Sequence, residues 1–168
     1  NNWDNYFVIF ATKKGMVRKN KLIDVAKSGK RELRDSGKLS IKLDDNDSLI
    51  GVKLCTIDDD ILLSSSNGKC LRFPVSKLRL FSGLNSSGVR GIKLENDNNI
   101  ISLAILKHSL IDMSIRQEYL RASSDNRRKE SSLKNGFEEL NKNEEFLLAV
   151  TSRGFGKRSS AYEYRISN

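Results

Sequence analysis

Internal repetition constrains this chain more than any other feature, because a unit that cannot bury its own apolar face has to stack on its neighbours. The segment GKLSIKLDDNDSLIG (37–51) aligns without gaps on GVRGIKLENDNNIIS (88–102), sharing the glycine, Ile-Lys-Leu, an acidic residue and a late Ile at an offset of 51 residues. A second element occurs three times, as ATKKGMVRKNKL (11–22), SSSNGKCLRFPV (64–75) and VTSRGFGKRSSA (150–161). Gly15, Gly68 and Gly154 coincide in that alignment, and a cation follows four residues later at Lys19, Arg72 and Arg158. Each glycine reads as a hairpin turn that requires positive φ.

The segments between turns are strand-like, short and rich in Val, Ile and Phe, with eleven Gly and one Pro (Pro74) as punctuation. Strands are expected over residues 6–12, 16–19, 39–43, 49–56, 61–65, 69–73, 89–94, 100–106, 146–151 and 160–166. A period of about 50 residues with four short strands is that of a propeller-like blade. The expected fold is all-β, with two and a half to three blade repeats: 1–56, 57–106 and the start of a third at 146–168. Residues 107–145 interrupt the pattern. There Ile111, Ile115 and Tyr119, and again Leu133, Phe137 and Leu140, recur at helical spacing, which predicts two short helices in an insertion with eight basic and eight acidic residues.

The formal charge is +9, which puts a polyanion first among possible partners. Residues 13–42, 69–93 and 153–165 together hold 21 Lys or Arg against four acids, whereas the rest of the chain holds nine against seventeen. Basic charge therefore returns at one phase of the repeat, and stacked repeats place one phase on one rim. The predicted contact set for a phosphate backbone is Arg18, Lys19, Lys21, Lys38, Lys42, Lys69, Arg72, Lys77, Arg79, Arg90, Lys93, Arg153, Lys157 and Arg158. Aromatic residues make up only 7% and no base-reading motif is present, so contact with the backbone of duplex DNA is expected rather than sequence readout. No apolar run reaches the roughly 20 residues of a membrane span. Residues 1–6 lack the basic and apolar regions of a signal peptide and read as a cut within a longer polypeptide.

Three stretches, SGKLSIKLDDNDSLIGVKL (36–54), NSSGVRGIKLENDNNIISL (85–103) and RGFGKRSSAYEY (153–164), resemble the C-terminal domain of the A subunit of bacterial DNA gyrase, and more loosely that of topoisomerase IV. The resemblance covers most of the chain outside the insertion. It implies a six-bladed β-pinwheel whose basic rim bends and wraps DNA, directing strand passage toward negative supercoiling. It also implies a bacterial, cytoplasmic, nucleoid-associated location and, as partners, the remainder of the A subunit together with the B subunit. About half of the six blades are present, and nothing matches the family's glycine-rich basic box of the form QRRGGRG. The expectation is thus a piece of the wrapping domain, non-catalytic, with an apolar flank that promotes self-association.

Cofactors are not expected for this segment, since in the parent ATP and magnesium belong to other domains or the other subunit. RGFGKRSS lacks P-loop spacing, and Tyr6, Tyr119, Tyr162 and Tyr164 match no cleavage motif. Asp58, Asp59 and Asp60 read as a solvated turn rather than a metal site, and Cys55 and Cys70 as small core residues in strands. His108 stands without ligand-type neighbours at metal-binding spacing. The competing readings are the topoisomerase IV counterpart and a propeller-like scaffold for acidic protein or RNA. An enzyme in its own right ranks third.

Overall fold

The computed structural model describes residues 3–28, 31–32, 39–95, 97–122 and 136–167. The chain divides into two compact units, residues 1–106 with 166–168, and residues 107–165.

In the first unit, β1 (Phe7–Thr12) and β2 (Met16–Lys21) form an antiparallel hairpin with Phe7 opposite Lys21 and Ala11 opposite Val17. Gly15 closes it at φ +86°, its amide donating to the Thr12 carbonyl at 3.0 Å. A helical turn, α1 (Leu22–Ala26), and two two-residue strands, β3 (Lys27–Ser28) and β4 (Arg31–Glu32), follow. Strand β5 (Leu49–Cys55) then covers the free edge of β1, so that Phe7 meets Cys55.

The second repeat is built the same way. Strands β6 (Asp59–Ser65) and β7 (Cys70–Pro74) form a hairpin closed by Gly68 at φ +80°, with Leu62 opposite Arg72. A short 3-10 turn follows at Val75–Lys77. Strand β8 (Val89–Arg90) leaves this repeat to pair with β2, whereas β9 (Ile100–Lys107) covers the edge of β6. The resulting orders are β5-β1-β2-β8 and β7-β6-β9. Ile9, Val17, Ile61, Leu63, Ile100 and Leu103 from the two sheets form one buried cluster with Val75 of the 3-10 turn. Each such side chain contributes roughly 1.5–3 kcal/mol by leaving water.

A repeated backbone link joins successive repeats. Leu80 forms a parallel bridge to Lys19, and Ile166 forms one to Arg72. Both apolar residues lie twelve positions after their own hairpin glycine. The Phe81 amide donates to Lys19 and the Ser167 amide to Arg72, at 2.9 and 2.8 Å.

The second unit contains the third hairpin, β10 (Phe146–Val150) with β11 (Gly156–Ser160), and the insertion. Gly154 turns this hairpin at φ +83°. The expected helices are present as α2 (Met113–Arg121), capped by Asp112, and α3 (Phe137–Lys142), with Leu133 outside the described residues. Their core is aromatic: Tyr119 meets Phe137 edge-on at 5.2 Å and Tyr162 at 6.1 Å. The Tyr162 hydroxyl donates to the Leu140 carbonyl at 3.1 Å.

Three expected strands differ. Residues 39–43 are irregular, 89–94 are reduced to Val89–Arg90, and 160–166 begin with a 3-10 turn at Ala161–Glu163. That turn is fixed by a reciprocal capping box between Ser160 and Glu163. Among the described residues no helix is long and apolar enough to cross a membrane.

Candidate nucleic-acid interface

Three of the cations expected on the rim are in the interior instead. Arg72 is 1% exposed, and its Nε donates to Asp60 Oδ2 at 2.8 Å across the β6–β7 hairpin. Lys19 is 4% exposed; its ammonium donates to the Val75 carbonyl at 2.7 Å and lies 5.3 Å from the Phe7 ring. Burial pushes the Lys19 ammonium below its ordinary pKa, partly offset by the Cys55 side chain. Arg18, fully buried, donates from Nη1 to the carbonyls of Leu84 and Ser86 at 2.7 and 2.6 Å and from Nη2 to that of Ser40. Burial likewise lowers its pKa. These side chains cannot reach a phosphate. Their position after the hairpin glycine is explained by the links between repeats, since Lys19 and Arg72 are the residues that receive the next repeat's backbone.

The remaining predicted cations described in the first unit, Lys21, Lys42, Lys69, Lys77, Arg79, Arg90 and Lys93, are exposed. Lys38 lies outside the described residues. Lys69 pairs with Glu95 at 2.7 Å on an open surface, which lowers its value as a phosphate contact. Arg79 and Arg90 occupy the two ends of one loop. Leu80 meets Lys19 and Arg90 meets Met16, so the loop leaves and rejoins the β2 edge three residues apart, about 10 Å along the strand. Arg79 lies over the Phe81 ring at 5.1 Å. Lys42 and Lys93 are the same residue of the Ile-Lys-Leu element, each exposed beside a more buried Ile41 or Ile92.

Close packing fixes this loop. A Cβ on Gly88, which has φ +99°, would come within 2.3 Å of the Val17 carbonyl oxygen, and one on Gly91 within 2.4 Å of Val17 Cγ2. The Gly91 amide donates to the Gly15 carbonyl at 2.9 Å. In the second unit Arg153, Lys157 and Arg158 are exposed. Arg158 lies 4.5 Å over Phe146, as Lys19 lies over Phe7, and Lys157 is 3.7 Å from Glu163.

Two other expectations need correction. Of the three aspartates read as a solvated turn, only Asp58 is exposed. Asp59 is buried and accepts from the Thr56 amide and hydroxyl at 2.6 and 2.8 Å, while Asp60 is the buried partner of Arg72. Cys70 is exposed rather than part of the core. Sequence reasoning also passed over Asn20. Its signal was a polar residue in phase with Arg18 on a strand that is buried on both faces.

The profile of the DNA gyrase C-terminal domain, beta-propeller, matches residues 31–56, 59–107 and 145–168, leaving out most of the insertion. The A subunit of DNA gyrase from Rickettsia bellii (strain RML369-C) is 41% identical over 179 aligned positions, which cover 99% of this chain and 19% of the relative. That of Granulibacter bethesdensis (strain ATCC BAA-1260 / CGDNIH1) is 39% identical, covering 98% of the chain and 20% of the relative. The chain thus spans about a fifth of the length of these relatives. In fold it is similar to the crystallised C-terminal domain of DNA topoisomerase IV, with a TM-score of 0.64 at 22% identity over 99% of this chain and 40% of the other. It is also similar to a DNA gyrase A C-terminal domain, with a TM-score of 0.65 at 18% identity over 98% and 41%.

Proposed function

Because the chain belongs to the DNA gyrase C-terminal domain, beta-propeller family, we propose that it binds and bends duplex DNA by its phosphate backbone, without sequence preference. In this reading it is the part of a type II topoisomerase that wraps DNA so that strand passage runs toward negative supercoiling. The rest of the gyrase A subunit, together with the B subunit, provides its partners in the bacterial cytoplasm. The segment itself performs no covalent step, and ATP and magnesium act elsewhere in the parent. The gyrase assignment over topoisomerase IV is supported by the 41% identity to a gyrase chain.

The observation that carries the reading is the set of exposed cations on the first unit: Lys77, Arg79, Arg90 and Lys93, with Lys21 and Lys42. Six such contacts predict that log K for a random-sequence duplex falls against log salt with a slope of about −5. Changing Arg79, Arg90 and Lys93 to Glu is expected to abolish binding. The same change at Lys107, Arg121 and Lys142 alters net charge equally and is expected to cost far less. A slope near zero, or equal losses in the two triple variants, would remove the interface.

A further inference from the structure

Arg18 and Asn20 are buried, polar and aimed at one loop. Arg18 Nη1 takes the carbonyls of Leu84 and Ser86, and Asn20 Nδ2 takes those of Phe81 and Gly83 at 2.7 and 3.1 Å. Arg18 Nε also donates to Asn20 Oδ1 at 2.8 Å, locking the two side chains together. Four carbonyls within six residues thus point into the protein. In a trans peptide the N–H of the next residue points the opposite way from its carbonyl. The amides of Ser82, Leu84, Asn85 and Ser87 are therefore turned away from the buried pair, and none of the four donates a hydrogen bond within the described residues. Ser82 and Asn85 are also exposed.

We propose that the outward amides of Ser82, Asn85 and Ser87 form a main-chain phosphate site on the DNA backbone, with Arg18 and Asn20 as its positioning residues. The inference rests on the proposed DNA-binding function and says how one part of that surface works. Backbone N–H groups left without an internal partner are available to an anion, as the amides of a nest are, and exposed Arg79 and Arg90 at the loop ends supply the charge that draws a phosphate in. A buried cation thus serves DNA without touching it: it holds the carbonyls, which would repel a phosphate, on the far side of the loop. The second repeat has Leu71 and Phe73 where the first has Arg18 and Asn20, so the pair belongs to this loop rather than to the general repeat.

Neutral amides release no counterions, whereas cationic contacts do. Asn20→Ala is therefore expected to weaken duplex binding about tenfold at every salt concentration with the slope unchanged. Arg90→Gln is expected to reduce the slope by about 1. In a titration with a short random-sequence duplex, the amide resonances of Ser82, Asn85 and Ser87 are expected to move downfield in the unaltered chain. In Asn20→Ala they are expected to move little. Circular dichroism and a denaturation midpoint keep the comparison to variants more than nine-tenths folded, for which loss of active protein cannot produce a tenfold effect. Arg18→Lys, which retains the charge but not the fork, serves as the second variant and is expected to behave like Asn20→Ala. Salt-dependent binding by the unaltered chain with those three amides unmoved, or unchanged affinity in both variants, would overturn the phosphate site alone. No binding by the unaltered chain would overturn the DNA-binding reading together with it.

Discussion

The first and third hairpins share their turn and their register but differ in burial. Ile9 sits opposite Lys19 in one, and Leu148 opposite Arg158 in the other. Thr12 accepts from Gly15 as Thr151 accepts from Gly154 at the same place in the repeat, at 3.0 and 2.9 Å. Yet Ile9 is fully buried and Leu148 is 73% exposed, with Phe146, Val150 and Phe155 also open to solvent. Hairpin geometry is therefore set by the few residues of the turn, whereas burial is supplied by what comes later in the chain. For β1 that is β5 along its edge and the second repeat on its face. For β10, no described strand other than β11 pairs with it.

Truncating the same position in both hairpins separates burial from turn geometry. Ile9→Ala removes a core side chain and is expected to cost about 2–5 kcal/mol. Leu148→Ala removes one already in water and is expected to stay within about 0.5 kcal/mol. Urea unfolding followed at Trp3, the single tryptophan, reads the first unit, and amide exchange along β10 reads the second. Comparable losses would mean that the third hairpin is covered in solution. Sedimentation would then show a species heavier than the 19.0 kDa chain, in line with self-association through the Phe146, Leu148 and Val150 face.

The turns themselves should respond less strongly. Gly15→Ala and Gly154→Ala both force a side chain into the left-handed region, at about 1–2 kcal/mol each. The new Cβ at Gly15 would additionally meet the Ile92 carbonyl oxygen at 3.0 Å and Ile92 Cγ2 at 3.1 Å, whereas at Gly154 nothing lies within 4 Å. Gly15→Ala is thus expected to be the more damaging by roughly 1 kcal/mol, in the range of an overpacked contact. Equal midpoint shifts would show that the loop of the second repeat yields freely, against the tight packing of Gly88 and Gly91.

The same distinction separates what the sequence made legible from what it did not. Gly15, Gly68 and Gly154 could be read as turns because a hairpin needs only local chemistry. The helices of the insertion were legible from Ile111, Ile115 and Tyr119, whose spacing is also local. Lys19 and Arg72 were misread because their fate depends on partners far along the chain. Leu80 and Val75 enclose one, while Asp60 and Ile166 meet the other. A repeating cation reads as a rim in one dimension, and only the next repeat shows that it is a link. The turn at Ala161–Glu163 was hidden for a different reason: Ala-Tyr-Glu-Tyr alternates like a strand, and the Ser160–Glu163 capping box outweighs that alternation.

The smallest effect concerns the strand that the first hairpin has and the third, among the described residues, lacks. Cys55, at the end of β5, lies opposite Phe7, with its Sγ 3.8 Å from the Phe7 carbonyl oxygen. Burial, reinforced by Asp59 and opposed by Lys19, pushes its thiol up to about 12. The thiolate is the reactive form, so a disulfide reagent at pH 8 is expected to modify exposed Cys70 promptly and Cys55 only when β5 opens. The folded chain keeps the Cys55 proton at pH values where the unfolded chain, near 9, loses it. The stabilisation is therefore complete below about pH 9 and is lost as pH rises toward about 12. Measured in Cys70→Ser, the Cys55 reaction then times the opening of the β1 edge. Prompt reaction in the native state at pH 8 would show that β5 is not the cover that distinguishes the first hairpin from the third.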